Sequence, residues 1–321
     1  MMLPQPLINI ILVHQRLKLH WRDLAAISRL MLGKSRQVRV LLVSEVDTAD
    51  VLPPEVWQLP TITVSFGPLG RFNPSRGPVF ANKAISKIDQ AARLASAGVT
   101  TPRTEMFQSG VRLDPGEWGE FVILKPKPLR LTSRSEGIYL YRTEHLNRLS
   151  DQDLPAAHML RRVPMLVQQF IDTGLRASKQ RITTLFGEPF HWVFSANKAP
   201  RTPLASADEI LDSAMISTAA SENRDWSCAE PPQDMLDTAR RAGAAFPSLP
   251  LLGLDLLRCN ATGEIYVLEI NAGANVWHYS SPYAAAHRAA YPETYPTEAQ
   301  KRWSFDRAAE ILLQKAFTAA R

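Results

Sequence analysis

Two carboxylates and one carboxamide stand close together in Gly253-Leu-Asp-Leu-Leu-Arg258 and the following Tyr266-Val-Leu-Glu-Ile-Asn271. Asp255, Glu269 and Asn271 offer hard oxygen donors, of which Mg2+ takes only a few before completing its shell with water and phosphate. The two stretches read as β-strands joined by the turn Asn260-Ala-Thr-Gly-Glu264. Alternation puts Val267, Glu269 and Asn271 on one face and Tyr266, Leu268 and Ile270 on the other. If Cys259 pairs with Ile265, Asp255 comes to lie opposite Glu269. Carboxylates facing each other across a ladder repel, and a divalent cation would reverse that cost. An ordinary hairpin with a wet acidic edge is the other reading of the same residues.

Basic residues upstream could meet phosphate. Asn82 can cap a helix running to about Ala97 and stopped by Gly98. Lys83 then sits in the first turn, where a lysine opposes the helix dipole. Reaching across to a phosphate would explain the placement; a solvated surface lysine is the plain alternative. A strand Phe121–Lys125 ends at Pro126, and the polar loop Leu131-Thr-Ser-Arg-Ser-Glu-Gly137 leads into a second strand, Ile138–Tyr141. Backbone N–H groups of such a loop can fold over phosphates.

These segments need elements to position them. Residues 1–80 read as a small α/β unit: strand Ile8–Val13, helix Trp21–Leu32 stopped at Gly33, then strands Val38–Val43 and Thr61–Phe66. Strands alternating with a helix imply a parallel sheet. Gly67–Pro78, with three glycines and three prolines, reads as a boundary. Further strands are Met165–Ile171, Gln180–Phe186 and His191–Ser195, with a turn at Gly187–Phe190. Asp208–Thr218 has helical apolar spacing, Ser221–Pro232 reads as a loop, and Asp234–Phe246, Pro282–Ala290 and Phe305–Ala320 read as helices.

Composition narrows the classes. The chain has 321 residues, 45% hydrophobic and 21% charged, as a folded water-exposed protein should be. Cys228 and Cys259 are its two cysteines, so no disulfide framework is expected. The apolar run Leu7–Val13 is too short to span a bilayer and lacks the flanks of a signal peptide. A cytoplasmic protein without membrane association is the expectation. The net charge of +6 favours anionic partners. The arginine clusters at 130–134, 161–162 and 240–241 are not interleaved with aromatic residues, which argues against nucleic acid. The seven histidines show no zinc spacing, and neither a Gly-x-Ser-x-Gly elbow nor a Walker loop is present.

In this order and spacing, the segments resemble the ATP-grasp superfamily, in particular its glutathione-synthetase-like and ribosomal-protein-modification ligase branches. The resemblance covers roughly residues 80–275. Asn82-Lys83 through Ala97-Gly-Val-Thr-Thr-Pro102 is similar to a lysine-headed helix and its "AGIPTP" turn. Val122-Ile-Leu-Lys125-Pro126 resembles the "VVKP" strand, Val167-Gln-Gln-Phe-Ile171 the "VQEFI" hinge, and Asp255, Glu269 and Asn271 the "GVD…EVN" metal set.

The resemblance implies a fold of α/β and α+β parts: a small Rossmann-like unit (1–80), a central lobe (81–168) and a C-terminal lobe with the metal site (169–321), the two α+β lobes sandwiching ATP. It implies a Mg-ATP-dependent ligase joining a carboxylate to an amine or thiol through an acyl phosphate, with Mn2+ as the alternative ion. Lys83, Lys125, Ser133, Ser135 and Gly137 would hold phosphates. Gln168, Gln169, Phe170 and Ile171 would hold adenine and ribose. Asp255, Glu269 and Asn271 would hold metal, and Arg181 would meet the transferred phosphoryl group. The substrates would be a small-molecule or peptide carboxylate and an amine; relatives form homo-oligomers. Four features depart from the family. The phosphate loop has one glycine; Gln169 stands where Glu is frequent; Lys179 stands two before Arg181, where Asp is common; and Ala272-Gly-Ala-Asn-Val-Trp-His278 replaces "SPG". Asn275, Trp277 and His278 are candidates to line an acceptor pocket. The reading from another class is a nucleotide-binding module without turnover, which the glycine-poor loop permits.

Overall fold

The structure, a computed structural model, describes residues 8–16, 20–108, 110–127, 137–150, 153–154, 156, 158–218, 223–273 and 279–320. Three sheets organise them. The first holds β1 (Ile8–His14), β2 (Val38–Ser44), β3 (Thr61–Ser65) and β4 (Val79–Ala81), all parallel in the order β2-β1-β3-β4. A central parallel strand is covered on both faces and therefore reads as a continuous apolar run. Ile10 and Leu12 face Leu24, Ile27 and Met31 of helix α1 (Trp21–Lys34), while Ile11 and Val13 pack with Val43, Val56 and Phe72. Because β4 belongs to this sheet, the first unit extends through Gly67–Pro78 to Ala81.

The second sheet holds β5 (Thr104–Met106), β6 (Phe121–Pro126), β7 (Tyr139–Arg142), β8 (Met165–Gln169) and the short β11 (Glu209–Ile210), in the order β11-β7-β6-β8-β5. The third holds β9 (Ser178–Leu185), β10 (Glu188–Asn197), β12 (Arg224–Ser227), β13 (Leu251–Arg258) and β14 (Ile265–Ala272), in the order β12-β10-β9-β13-β14. Both are antiparallel throughout. Helix α2 (Lys87–Ser96) precedes the second sheet, and α3 (Pro115–Trp118), α4 (Thr143–Leu146) and α5 (Ser213–Ile216) are single turns around it. Helix α6 (Gln233–Ala244) lays Met235, Leu236, Ala239 and Ala242 on Leu252, Leu254 and Leu256 of β13. Its approach is close: a Cβ on Gly243 would lie 2.7 Å from Gly187 Cα. Helices α7 (Pro282–Ala290) and α8 (Glu298–Ala319) follow, and α8 packs on α1 and β1 as well as on β10.

Three sequence expectations give way. Asp208–Thr218 is not one helix; Glu209–Ile210 pairs with β7 before the single turn α5. Arg224–Ser227, read as loop, is an edge strand on β10. The helix expected from Asn82 begins at Lys87, with Ser86 Oγ accepting from Asp89 N. Asn82 is buried instead. Its amide donates to Phe66 O and Leu251 O at 3.2 and 2.7 Å and accepts from Leu251 N at 3.3 Å. One side chain thus joins the end of β3 to the start of β13. Among the described residues no helix is long and apolar enough to cross a membrane.

Replacing Asn82 with Ala should orphan backbone groups at both strand ends and cost about 2–4 kcal/mol. Urea unfolding should show a lower midpoint with an unchanged slope.

Candidate nucleotide and metal site

The third sheet sets a row of charges on the face turned away from α6. Arg181 of β9 pairs with Asp255 of β13, and Asp255 pairs with Glu269 of β14. The register reaches that pairing by a compensated route. The turn pairs Arg258, not Cys259, with Ile265, and an irregularity between Asp255 and Leu256 absorbs one residue of β14. The irregularity also reverses the alternation. Val267 therefore joins Ile270 in the core beneath α6, and only Glu269 and Asn271 share the face of Asp255.

Asp255 is 1% exposed, and cations hold both of its oxygens. Arg181 Nε lies 2.5 Å from Oδ1 and Nη2 lies 2.6 Å from Oδ2, a bidentate fork. Lys179 Nζ adds a contact to Oδ2 at 3.0 Å. Burial works to raise the Asp255 pKa; the Arg181 and Lys179 charges and their hydrogen bonds outweigh it and hold the carboxyl below the usual carboxylate range. Glu269 is more open. Its Oε1 accepts from Asn271 Nδ2 at 3.2 Å, and its Oε2 pairs with Lys87 Nζ at 3.3 Å.

Lys87 is a candidate that sequence reasoning did not single out. It is the first residue of α2 and carries its ammonium to Glu269, whereas Lys83 lies four residues earlier, outside the helix. The signal was present as Ser86-x-x-Asp89, a helix start three residues before an acid. Both lysines line a 430 Å3 cavity with Phe66, Gly67, Glu269 and Asn271.

Lys125 enters from the second sheet. Its Nζ donates to Gln168 Oε1 at 2.8 Å, and Gln168 Nε2 donates to Thr104 Oγ1 at 2.7 Å. Desolvation, followed by repulsion from Lys87, lowers the Lys125 pKa to about 7, with Glu269 opposing. The charges of α2 and β14 thus reach Lys125 of the second sheet. Ile123 pairs with Gln168, so Gln168 and Phe170 share the face of Lys125. Gln169 points to the other face, where its Oε1 accepts from Arg103 N at 3.4 Å. The Phe170 ring lies under the Arg201 guanidinium at 5.2 Å, and Ile171 is buried. Gly137 has φ +72°, and a Cβ there would approach Met159 to 3.0 Å. Ser133 and Ser135, with Asn275, Trp277 and His278, lie outside the described residues.

The donors fit a divalent ion in part. Glu269 and Asn271 are adjacent and accessible hard ligands. Asp255 is committed to Arg181 and Lys179. Among the described residues no group of three or more His, Cys, Asp or Glu side chains could hold a metal. Lys87 and Lys125 suit an anion.

No protein-family profile matches the chain, and no curated protein sequence matches it. Solved structures do. A RiPP-associated ATP-grasp ligase from Chryseobacterium gregarium, in complex with ADP and a leader and core peptide, superposes with TM-score 0.53 at 12% identity, over 96% of this chain and 97% of that one. ATP-grasp ligase PsnB, complexed with precursor peptide PsnA2 and AMPPNP, gives 0.51 at 14% identity, over 96% and 98%. The chain has the ATP-grasp fold. Its two antiparallel sheets carry Lys125 on one and Arg181, Asp255 and Glu269 on the other.

The low pKa of Lys125 gives a proton-linked signature. An anion beside Lys125 would raise its pKa from about 7, so nucleotide binding near pH 7 should take up a proton. Affinity should then fall as pH rises from 7 toward 9. Calorimetric titration in two buffers of different ionisation enthalpy should report uptake of up to half a proton, and Lys125→Met should remove it.

Proposed function

We propose that this ATP-grasp chain is a Mg-ATP-dependent ligase that joins a carboxylate to an amine or thiol through an acyl phosphate, releasing ADP and phosphate. The observation that carries the reading is the Lys87–Glu269 pair beside the Arg181–Asp255 pair, with Lys125 of the second sheet within electrostatic reach of Lys87 and Glu269. Solved neighbours of the same fold are ligases, one of them complexed with Mg and ADP at TM-score 0.50.

In this reading Lys87 and Lys125 grip the nucleotide phosphates, and Gln168, Phe170 and Ile171 frame the base. Only the backbone of Gln169 would take part, because its side chain is engaged with Arg103. Lys83, in the cavity wall, remains available to the second substrate. Gly137 and the serine loop before it would cover the phosphates. Bound Mg2+ on Glu269 and Asn271 would offset phosphate charge. A carboxylate oxygen attacks the γ-phosphorus, the bond to ADP breaks, and an amine then displaces phosphate from the acyl carbon. Arg181 would stabilise the transferred phosphoryl group; Asp255 fixes the plane of its guanidinium. The protein works by positioning and charge neutralisation. Two neighbours bind precursor or leader and core peptides. That supports a peptide-borne carboxylate as the acid and an amine as its partner.

Saturating Mg-ATP, at a hundred times its Kd, should stabilise the protein by roughly 2.7 kcal/mol, a rise of a few degrees in Tm. Lys87→Met should lose most of that rise and Lys83→Met should keep it. Glu269→Ala should keep the fold and lower ADP release on the order of 10²–10³-fold. Unchanged biological activity in Glu269→Ala would instead mark a nucleotide-binding module without turnover.

A further inference from the structure

Asp255 has more positive charge than it needs. The Arg181 fork alone satisfies both oxygens of a carboxylate that is 1% exposed, yet the Lys179 ammonium, itself 18% exposed, sits on Oδ2 as well. The neighbouring row adds Lys87 on Glu269, and Lys125 of the second sheet lies within electrostatic reach of both. Three cations, with Lys125 partly protonated near pH 7 beside them, therefore meet two carboxylates. A free divalent ion approaching such a face meets net repulsion, and the buried ion pairs would have to be broken to release Asp255 as a ligand. A polyphosphate approaching the same face is attracted.

We propose that Lys179 is a resident cation of the phosphate site: a nucleoside polyphosphate binds this chain without a divalent ion, and the ion joins only with the phosphates, through Glu269 and Asn271. Asp255 then acts as the counter-ion that positions Lys179 and Arg181 and stays outside the metal's coordination shell. The inference rests on the nucleotide-binding part of the proposed function and goes beyond it in the order of binding and in the identity of the cation.

The test measures ADP binding by calorimetry in EDTA and in Mg2+, and Mn2+ binding alone by electron paramagnetic resonance, on wild type, Lys179→Met and Lys179→Asp. Wild type should bind ADP in EDTA within about tenfold of its affinity in Mg2+, and should not bind millimolar Mn2+ alone. Lys179→Met, in which Arg181 still covers Asp255, should melt near wild type. It should lose at least tenfold in ADP affinity in EDTA and less than threefold in Mg2+. Lys179→Asp should gain binding of free Mn2+ and make ADP binding metal-dependent. Wild-type binding of ADP only in Mg2+, tight Mn2+ binding without nucleotide, or an unchanged Lys179→Met each overturns the inference while leaving the ligase reading standing. Failure of wild type to bind ADP under either condition overturns both.

Discussion

A buried carboxylate must be neutralised, and the charged face of the third sheet is arranged around that requirement. Asp255 lies on the second of three adjacent strands, beneath the cleft and above the core formed with α6. Removing one partner of such a pair leaves an uncompensated charge, typically at a cost of about 3–5 kcal/mol. The Arg181 fork meets the requirement and is thereby fixed in plane and position. Glu269 lies opposite Asp255 in the ladder and takes its own cation, Lys87, from a different part of the chain. The same interactions that make the sheet tolerable as a folded surface set a cluster of cations on its open face.

Backbone hydrogen bonding sets the positions of the groups that hold those charges. Asn82 ties the carboxyl end of β3 to the amino end of β13, and the segment leaving it carries Lys83 and Lys87 over the Glu269–Asn271 hairpin. Ligand sites outside the carboxyl ends of parallel strands are a general property of open α/β sheets. Here the first sheet presents that edge to a cavity whose far wall is the Glu269–Asn271 strand. The cleft is therefore a product of three sheets, with the first supplying the wall, the second Lys125 and the third the carboxylates.

Much of this was legible in the sequence because periodicity and side-chain chemistry agreed. Apolar runs identified β1 to β3, and the Asp255–Glu269 juxtaposition followed from counting residues across a turn. That count held through two offsetting departures, a turn one residue out of step and an irregularity in β14. Alternation alone could not see the irregularity, so Val267 was assigned to the wrong face. The start of α2 was displaced because Asn82 is as good a capping residue as Ser86; only the tertiary bonds of Asn82 to Leu251 decide between them. Lys179 was visible as a departure from the family pattern, but its pairing with Asp255 depends on the register of β9, which no local signal fixes. Asp208–Thr218 carried a helical period yet yields a strand pair and one turn, because β7 offers an open edge at that place.

The packing of α8 sets an order on the birth of the molecule. Ala308, Ala309, Leu312 and Ala316 complete the same core as Ile10, Leu12, Leu24 and Ile27, and Lys34 on α1 pairs with Asp306 and Glu310. The first sheet is made well before α8, yet one of its faces is finished by that helix. Until α8 is made, α1 and β1 present apolar surface to solvent, a period in which chaperones or aggregation compete for it. Closure of the first sheet therefore waits on α8, and loss of that helix would be felt first at β1 and α1.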